Sequence, residues 1–152
     1  MCNFLSAIVF QNDDILCDPV NTDSHEDLLR VAKVRDGVCQ TGRFCRVEFT
    51  PPEDRTKLFD TSAWTLKVDE DNTPEWFDHT KVKELLSNRI KSMMIQEGEH
   101  DILLGGCWII GGTASIKEVK NARVWCLRDS AQIHHVGGSA QIHDVGGSAQ
   151  IH

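Results

Sequence analysis

The chain has 152 residues, 40% of them apolar and 26% charged, with a formal net charge of −7. That balance fits a soluble globular protein, and the length allows one core, or one compact domain with a repeat extension. No run approaches the roughly 20 apolar residues of a membrane-spanning helix. Met1 to Phe10 has neither a positive n-region nor a small-residue cleavage site, so a cytoplasmic protein with no membrane partner is expected.

In chain order, Phe4 to Phe10 reads as an apolar strand, Asn12-Asp13 as a turn, and Asp14 to Cys17 as the returning arm of a hairpin. Ser24, with Asp27 three residues on, caps a helix that turns Leu28, Leu29 and Ala32 to the core. Phe44 to Phe49 alternates as a strand until Pro51-Pro52, and Trp64 to Val68 forms another. Thr73-Pro74-Glu75 reads as a helix start. The main helix is expected from about His79 to Met94, burying Val82, Leu85, Leu86, Ile90, Met93 and Met94. Ile102 to Ile110 reads as one continuous, central apolar strand leading through Gly111-Gly112. The expected fold class is thus α+β, a small mixed sheet with two helices, over residues 1–112.

Residues 113–152 follow a different rule. Ser130-Ala131-Gln132-Ile133-His134 recurs at Ser139 to His143 and again at Ser148 to His152, with Val136-Gly137-Gly138 repeated as Val145-Gly146-Gly147. The period is nine residues throughout. Degenerate copies at Ala122-Arg123-Val124 with Leu127, and at Ala114-Ser115-Ile116 with Val119, carry the frame back to Thr113. Alternate residues of a strand share a side, so Ala and Ile turn inward while Gln and His face out. Val adds a second inward point, and Gly-Gly permits a sharp corner. A nine-residue unit cannot bury its own apolar edge, but stacked units can. Two units, eighteen residues, are expected per coil, with a three-sided coil of twenty-seven as the alternative.

This array resembles short-period β-solenoid and β-roll repeat proteins, over about Thr113 to His152 only. It departs from the calcium-binding nonapeptide type, whose turns supply Gly and Asp ligands; the turns here carry no regular Asp, so no cofactor is implied. The array ends in mid-unit at His152. It is truncated, or longer in its native form, or stacked on a partner. The last alternative makes Ala140, Ile142, Val145, Ala149 and Ile151 a self-association surface and the protein a homo-oligomer through the solenoid end.

Charge and chemistry supply the remaining expectations. Residues from Thr113 onward carry +1 against −7 for the whole chain, which leaves −8 on the first 112. Such a domain argues against direct nucleic-acid binding and suits a basic protein partner. The acidic run Asp69, Glu70, Asp71, Glu75 and Asp78 is the candidate docking surface; it lacks the spacing of a calcium loop. His25 and Glu26, with Asp69, are candidate catalytic groups, against a plain reading as a capped first helical turn. His134, His143 and His152 are the candidate metal ligands; an eighteen-residue coil puts His134 over His152 and His143 on the opposite face. Cys2 is a candidate N-terminal nucleophile. The six cysteines (Cys2, Cys17, Cys39, Cys45, Cys107, Cys126) form no Cys-x-x-Cys pair and read as reduced, buried thiols. Gly105-Gly106 and Gly111-Gly112 lack the Lys-Ser/Thr of a phosphate loop, and Trp64, Trp76, Trp108 and Trp125 lack a basic groove for stacking on bases.

No convergent catalytic constellation emerges, so the expected function is non-enzymatic. The solenoid would act as spacer or stacking interface and the acidic domain as docking surface. The alternatives are an inhibitor that mimics nucleic-acid charge against a basic protein, or a small hydrolase or transferase using His25, Glu26 and Asp69.

Overall fold

Alternating and continuous apolar patterns sort this chain into two kinds of sheet, seen in a computed structural model that describes residues 5–31 and 43–152. Cys2, Phe4, Ala32 and Cys39, named above, lie outside the described residues. The chain divides into two compact units, Met1–Lys91 and Ser92–His152.

In the first unit, β1 (Leu5–Phe10) and β2 (Ile15–Leu16) form the expected hairpin, with Asp13 at φ 71° in its turn. Helix α1 (His25–Val31) follows, with Leu28 and Leu29 packed against Ile8. Ser24 caps it by accepting from the Asp27 N–H at 3.4 Å. Strand β3 (Phe44–Thr50) alternates as its sequence requires, burying Cys45, Val47 and Phe49, and β4 (Thr65–Val68) lies beside it. The order is β2-β1-β3-β4, and every neighbouring pair is antiparallel. β1 is buried on both faces except at its end, the property of a central strand. Trp64 stacks on Phe49 at 5.4 Å between ring centres and donates its indole N–H to the Leu58 carbonyl at 2.8 Å. It belongs to this core rather than to an exposed stacking surface.

The second helix, α2 (His79–Lys91), is shorter than expected. Thr73-Pro74-Glu75 does not start it; a turn closes there by the Phe77 N–H to Pro74 carbonyl bond. Asp78 is the cap, its carboxylate accepting from the Lys81 N–H at 3.2 Å. Val82, Leu86 and Ile90 are buried on its inner face, whereas Met94 belongs to a strand.

That strand opens the second unit, a parallel β-solenoid of about three turns. One sheet contains β5 (Met94–Ile95), β7 (Cys107–Ile110), β9 (Arg123–Leu127) and β12 (Gln141–Val145). The other contains β6 (Glu99–Leu104), β8 (Ser115–Lys120), the short β10 (Gln132–Ile133) and β11 (Val136–Gly137), and β13 (Gln150–Ile151). All ladders in this unit are parallel. The repeat registers Gln132 on Gln150 and Gln141 on Arg123, so a coil takes eighteen residues and two nine-residue units, as expected. Ala114, Ile116, Val119, Ala122, Val124, Leu127, Ala131 and Ile133 form the continuous core of the coils.

The solenoid begins earlier than residue 113. Ile102 to Ile110 is not one central strand: Gly105 and Gly106, at φ 69° and 79°, break it into β6 and β7, successive sides of the first coil. Their shorter coil hid them, since Glu99 pairs with Ser115 sixteen residues on and Met94 with Ile109 only fifteen on. The corners follow a related rule. Gly138 and Gly147 hold φ near +60°, and one coil earlier the same role falls to Asn121 (φ 51°) and Asp129 (φ 58°). Asn and Asp are the side chains that best tolerate this region.

Candidate functional site

His25 and Asp69 stand 44 positions apart in the sequence, yet the fold brings them together. His25 occupies the first turn of α1, with its side chain 12% exposed, and Asp69 follows the end of β4. The imidazole Nδ1 lies 3.3 Å from Asp69 Oδ2, and Nε2 lies 2.8 Å from the carbonyl oxygen of Val47 on β3. A carbonyl only accepts, so Nε2 carries a proton and donates it there. Both ring nitrogens are therefore engaged by the protein itself. General acid–base catalysis needs one nitrogen within hydrogen-bond reach of a substrate, and this ring offers none. Glu26 is exposed on the same helix and, among the described residues, makes no hydrogen bond to this pair. His25 ties α1 to the sheet.

The acidic run resolves in the same way. Glu70 receives Arg46 as a fork, Nε to Oε1 and Nη2 to Oε2 each at 2.9 Å, and also accepts the Arg46 backbone N–H at 3.0 Å. Burial pushes the Glu70 carboxyl up, but the Arg46 hydrogen bonds and charge, with His25, outweigh it and leave it below its ordinary value. The Asp69 N–H in turn donates to the Arg46 carbonyl at 2.8 Å. Asp78 is occupied as the cap of α2. Of the five proposed docking residues, Asp71 and Glu75 remain as exposed carboxylates. The shallow depression at this place is lined by Arg46, Lys67, Val68, Asp69, Glu70 and Asp71, and two of its acids already have partners in the same unit, Asp69 the His25 imidazole and Glu70 the Arg46 guanidinium.

On the solenoid, His134 and His152 stack as the eighteen-residue coil requires, with ring centres 5.2 Å apart and planes 7° from parallel. Imidazole lone pairs lie in the ring plane, so parallel stacked rings aim at separate points and cannot share one tetrahedral ion. His134 Nε2 also meets the Ser115 hydroxyl at 3.0 Å. His143 lies on the other sheet, where its Nε2 accepts from Arg123 Nε at 2.9 Å. Burial, then the Arg123 charge, holds this imidazole below its ordinary value. Among the described residues no group of three or more His, Cys, Asp or Glu side chains is placed to hold a metal ion.

Cys45 and Cys107 have no nucleophilic setting either. Cys17, Cys45, Cys107 and Cys126 form no disulfide among the described residues, and burial pushes Cys45 up to about 12 and Cys107 up to about 11. A thiol at such values carries almost no thiolate near neutral pH.

The remaining distinctive surface is the edge of the last coil. At the repeated inward position, Ile133 is 0% exposed and Ile151 is 43% exposed, while Val145 reaches 48%. Ala140, Ile142 and Ala149 are half-buried against the same core. Together with β12 they present an apolar strip beside a strand with one side open. Sequence reasoning put these five residues on one inward-facing frame, of which Ala140, Ile142 and Ala149 pack against the core. It missed the upstream coil residues Leu103, Trp108 and Ile110, which pack with them; the signal available was the pair of Gly-Gly corners at residues 105–106 and 111–112. Among the described residues no helix is long and apolar enough to cross a membrane. Comparison with protein-family models, curated proteins and solved structures finds no match to this chain.

Proposed function

We propose that this protein is a non-catalytic assembly module whose solenoid accepts a further coil on the edge formed by β12 and β13. The supporting observation is the in-register parallel stacking of near-identical coils, Gln132 on Gln150 and Gln141 on Arg123, a ladder that a further coil of the same kind would continue. Each coil gains its stability by burying the inward residues of its neighbour, at about 25 cal/mol per Å² of apolar surface. A strand with one side open also offers unpaired N–H and C=O groups, which a further strand satisfies. The catalytic alternative lacks an available imidazole nitrogen at His25, and the charge-mimicry alternative loses Asp69 and Glu70 to His25 and Arg46.

Light scattering after size exclusion tests this reading on the full chain and on Val145→Lys/Ile151→Asp. Both positions are exposed, so the coils beneath keep their packing. The parent is expected above 17.1 kDa with a mass that rises with concentration, and the double variant at 17.1 kDa. A parent that stays at 17.1 kDa throughout overturns the reading.

A further inference from the structure

We infer that β6 is a docking strand for an extended segment of a basic partner protein, which sets Lys or Arg beside Glu99 and Asp101 and apolar side chains over Ile102 and Leu104. This surface is separate from the edge formed by β12 and β13, and the inference stands apart from the assembly reading.

The first coil breaks the solenoid's own rule for outward positions. Inward positions stay in register between coils, with His100 on Ile116 and Leu103 on Val119. The residues flanking Leu103 therefore face out, and both are apolar. Ile102 is 48% exposed and Leu104 is 67% exposed, while Leu103 between them is buried. One coil on, the paired positions carry Glu118 and Lys120, and Lys120 is followed by Gly137 on β11. A single exposed Leu is ordinary on any surface. Two large apolar side chains at alternate positions of one strand form a strip that the side chains of a neighbouring strand cover.

The backbone of β6 offers the means of attachment. Among the described residues β6 pairs with β8 alone. Its other side presents N–H and C=O groups to an added strand, and main-chain bonds of this kind supply affinity while alternate side chains supply specificity.

The rest of the strand selects the partner's charge. Glu97, Glu99 and Asp101 are exposed, and among the described residues none of their carboxylates meets a cation or a hydrogen-bond donor. Such a row attracts a basic segment and repels an acidic one. At the start of the strand a depression lined by Met94, Ile95, Gln96, Glu97 and His100 places apolar walls beside a carboxylate. His100 Nε2 donates to the Glu97 carbonyl at 3.0 Å and holds the ring at this wall. Apolar walls with a carboxylate suit Lys or Arg, whose stem is apolar and whose head is cationic.

Two-dimensional NMR of the isotope-labelled full chain tests the inference, with the peptide Lys-Thr-Lys-Val-Thr-Val and its reverse, Val-Thr-Val-Lys-Thr-Lys, as probes. At least one order is expected to give saturable shift changes centred on Glu99–Leu104, and the order that binds gives the direction of the added strand. Replacing both peptide Lys residues by Glu should weaken binding about tenfold or more. Leu104→Lys installs the residue that β8 carries at the paired position, so the fold is kept, and it should also weaken binding about tenfold. The inference is overturned by unchanged Glu99–Leu104 signals with both orders, by equal binding of the Glu peptide, or by a Leu104→Lys chain that binds as the parent does. Val145→Lys/Ile151→Asp is expected to bind the peptide like the parent, whatever its mass; loss of binding there would contradict a separate surface.

Discussion

The side-chain amide of Asn121 occupies the space into which a β-carbon on Gly138 would project, and its Oδ1 accepts the Ser139 N–H at 2.9 Å. One residue thereby turns its own corner at φ 51° and pins the corner of the next coil. At the opposite corner the direction reverses: Asp129 Oδ2 accepts from the Gly112 N–H of the preceding coil at 2.9 Å.

Gly138→Ala is therefore expected to destabilise the solenoid by about 2 to 3 kcal/mol, from backbone strain at φ 63° and from overlap with Asn121. In an Asn121→Gly background the overlap is gone, and the same substitution should cost about 1 kcal/mol. A double-mutant cycle in urea measures the coupling; additive effects would show that the two corners are independent.

The gradient of burial predicts unequal losses at equivalent repeat positions. Ile133→Ala should cost about 2 to 5 kcal/mol, and Ile151→Ala under about 1 kcal/mol, because Ile151 leaves little cavity behind. Denaturation at low protein concentration, where any assembly is dissociated, provides the comparison. Equal costs would contradict the open edge.

Acid should act on the two units through different groups. The folded Glu70 carboxyl titrates below 4.5, so its contribution is present above that value and is lost as pH falls beneath it. The folded His143 imidazole also titrates below its ordinary 6.5, so the folded state favours the neutral ring. Its contribution is complete above pH 6.5 and is lost as pH falls from there through the lower folded value. Urea midpoints from about pH 7.5 to about pH 3.5 should show both steps. Glu70→Gln should flatten the acidic one and His143→Gln the step below 6.5. Steps that persist in these variants would assign them elsewhere.

Much of the fold is legible in the sequence because its signals are local and periodic. The hairpin at Asn12-Asp13, the alternation of β3 and the eighteen-residue coil all follow from which residues must face inward. The start of the solenoid is not legible in that way. Asn121 and Asp129 replace the corner glycines, the first coil is shorter than nine-residue counting allows, and the apolar stretch around Ile102 resembles a buried strand although Ile102 is 48% exposed. The site shows the same division. His25 and Asp69 stand out by residue type, but the Val47 carbonyl that occupies the second nitrogen belongs to backbone, and no side-chain pattern announces it.

Hydrogen–deuterium exchange as a function of protein concentration tests the central claim most directly. Raising the concentration should slow exchange in Gln141–Val145 and Gln150–Ile151, and leave Arg123–Leu127, already between two strands, unchanged. Exchange in Gln141–Val145 that is the same at every concentration would show that this edge remains open, contrary to an assembly role for the solenoid.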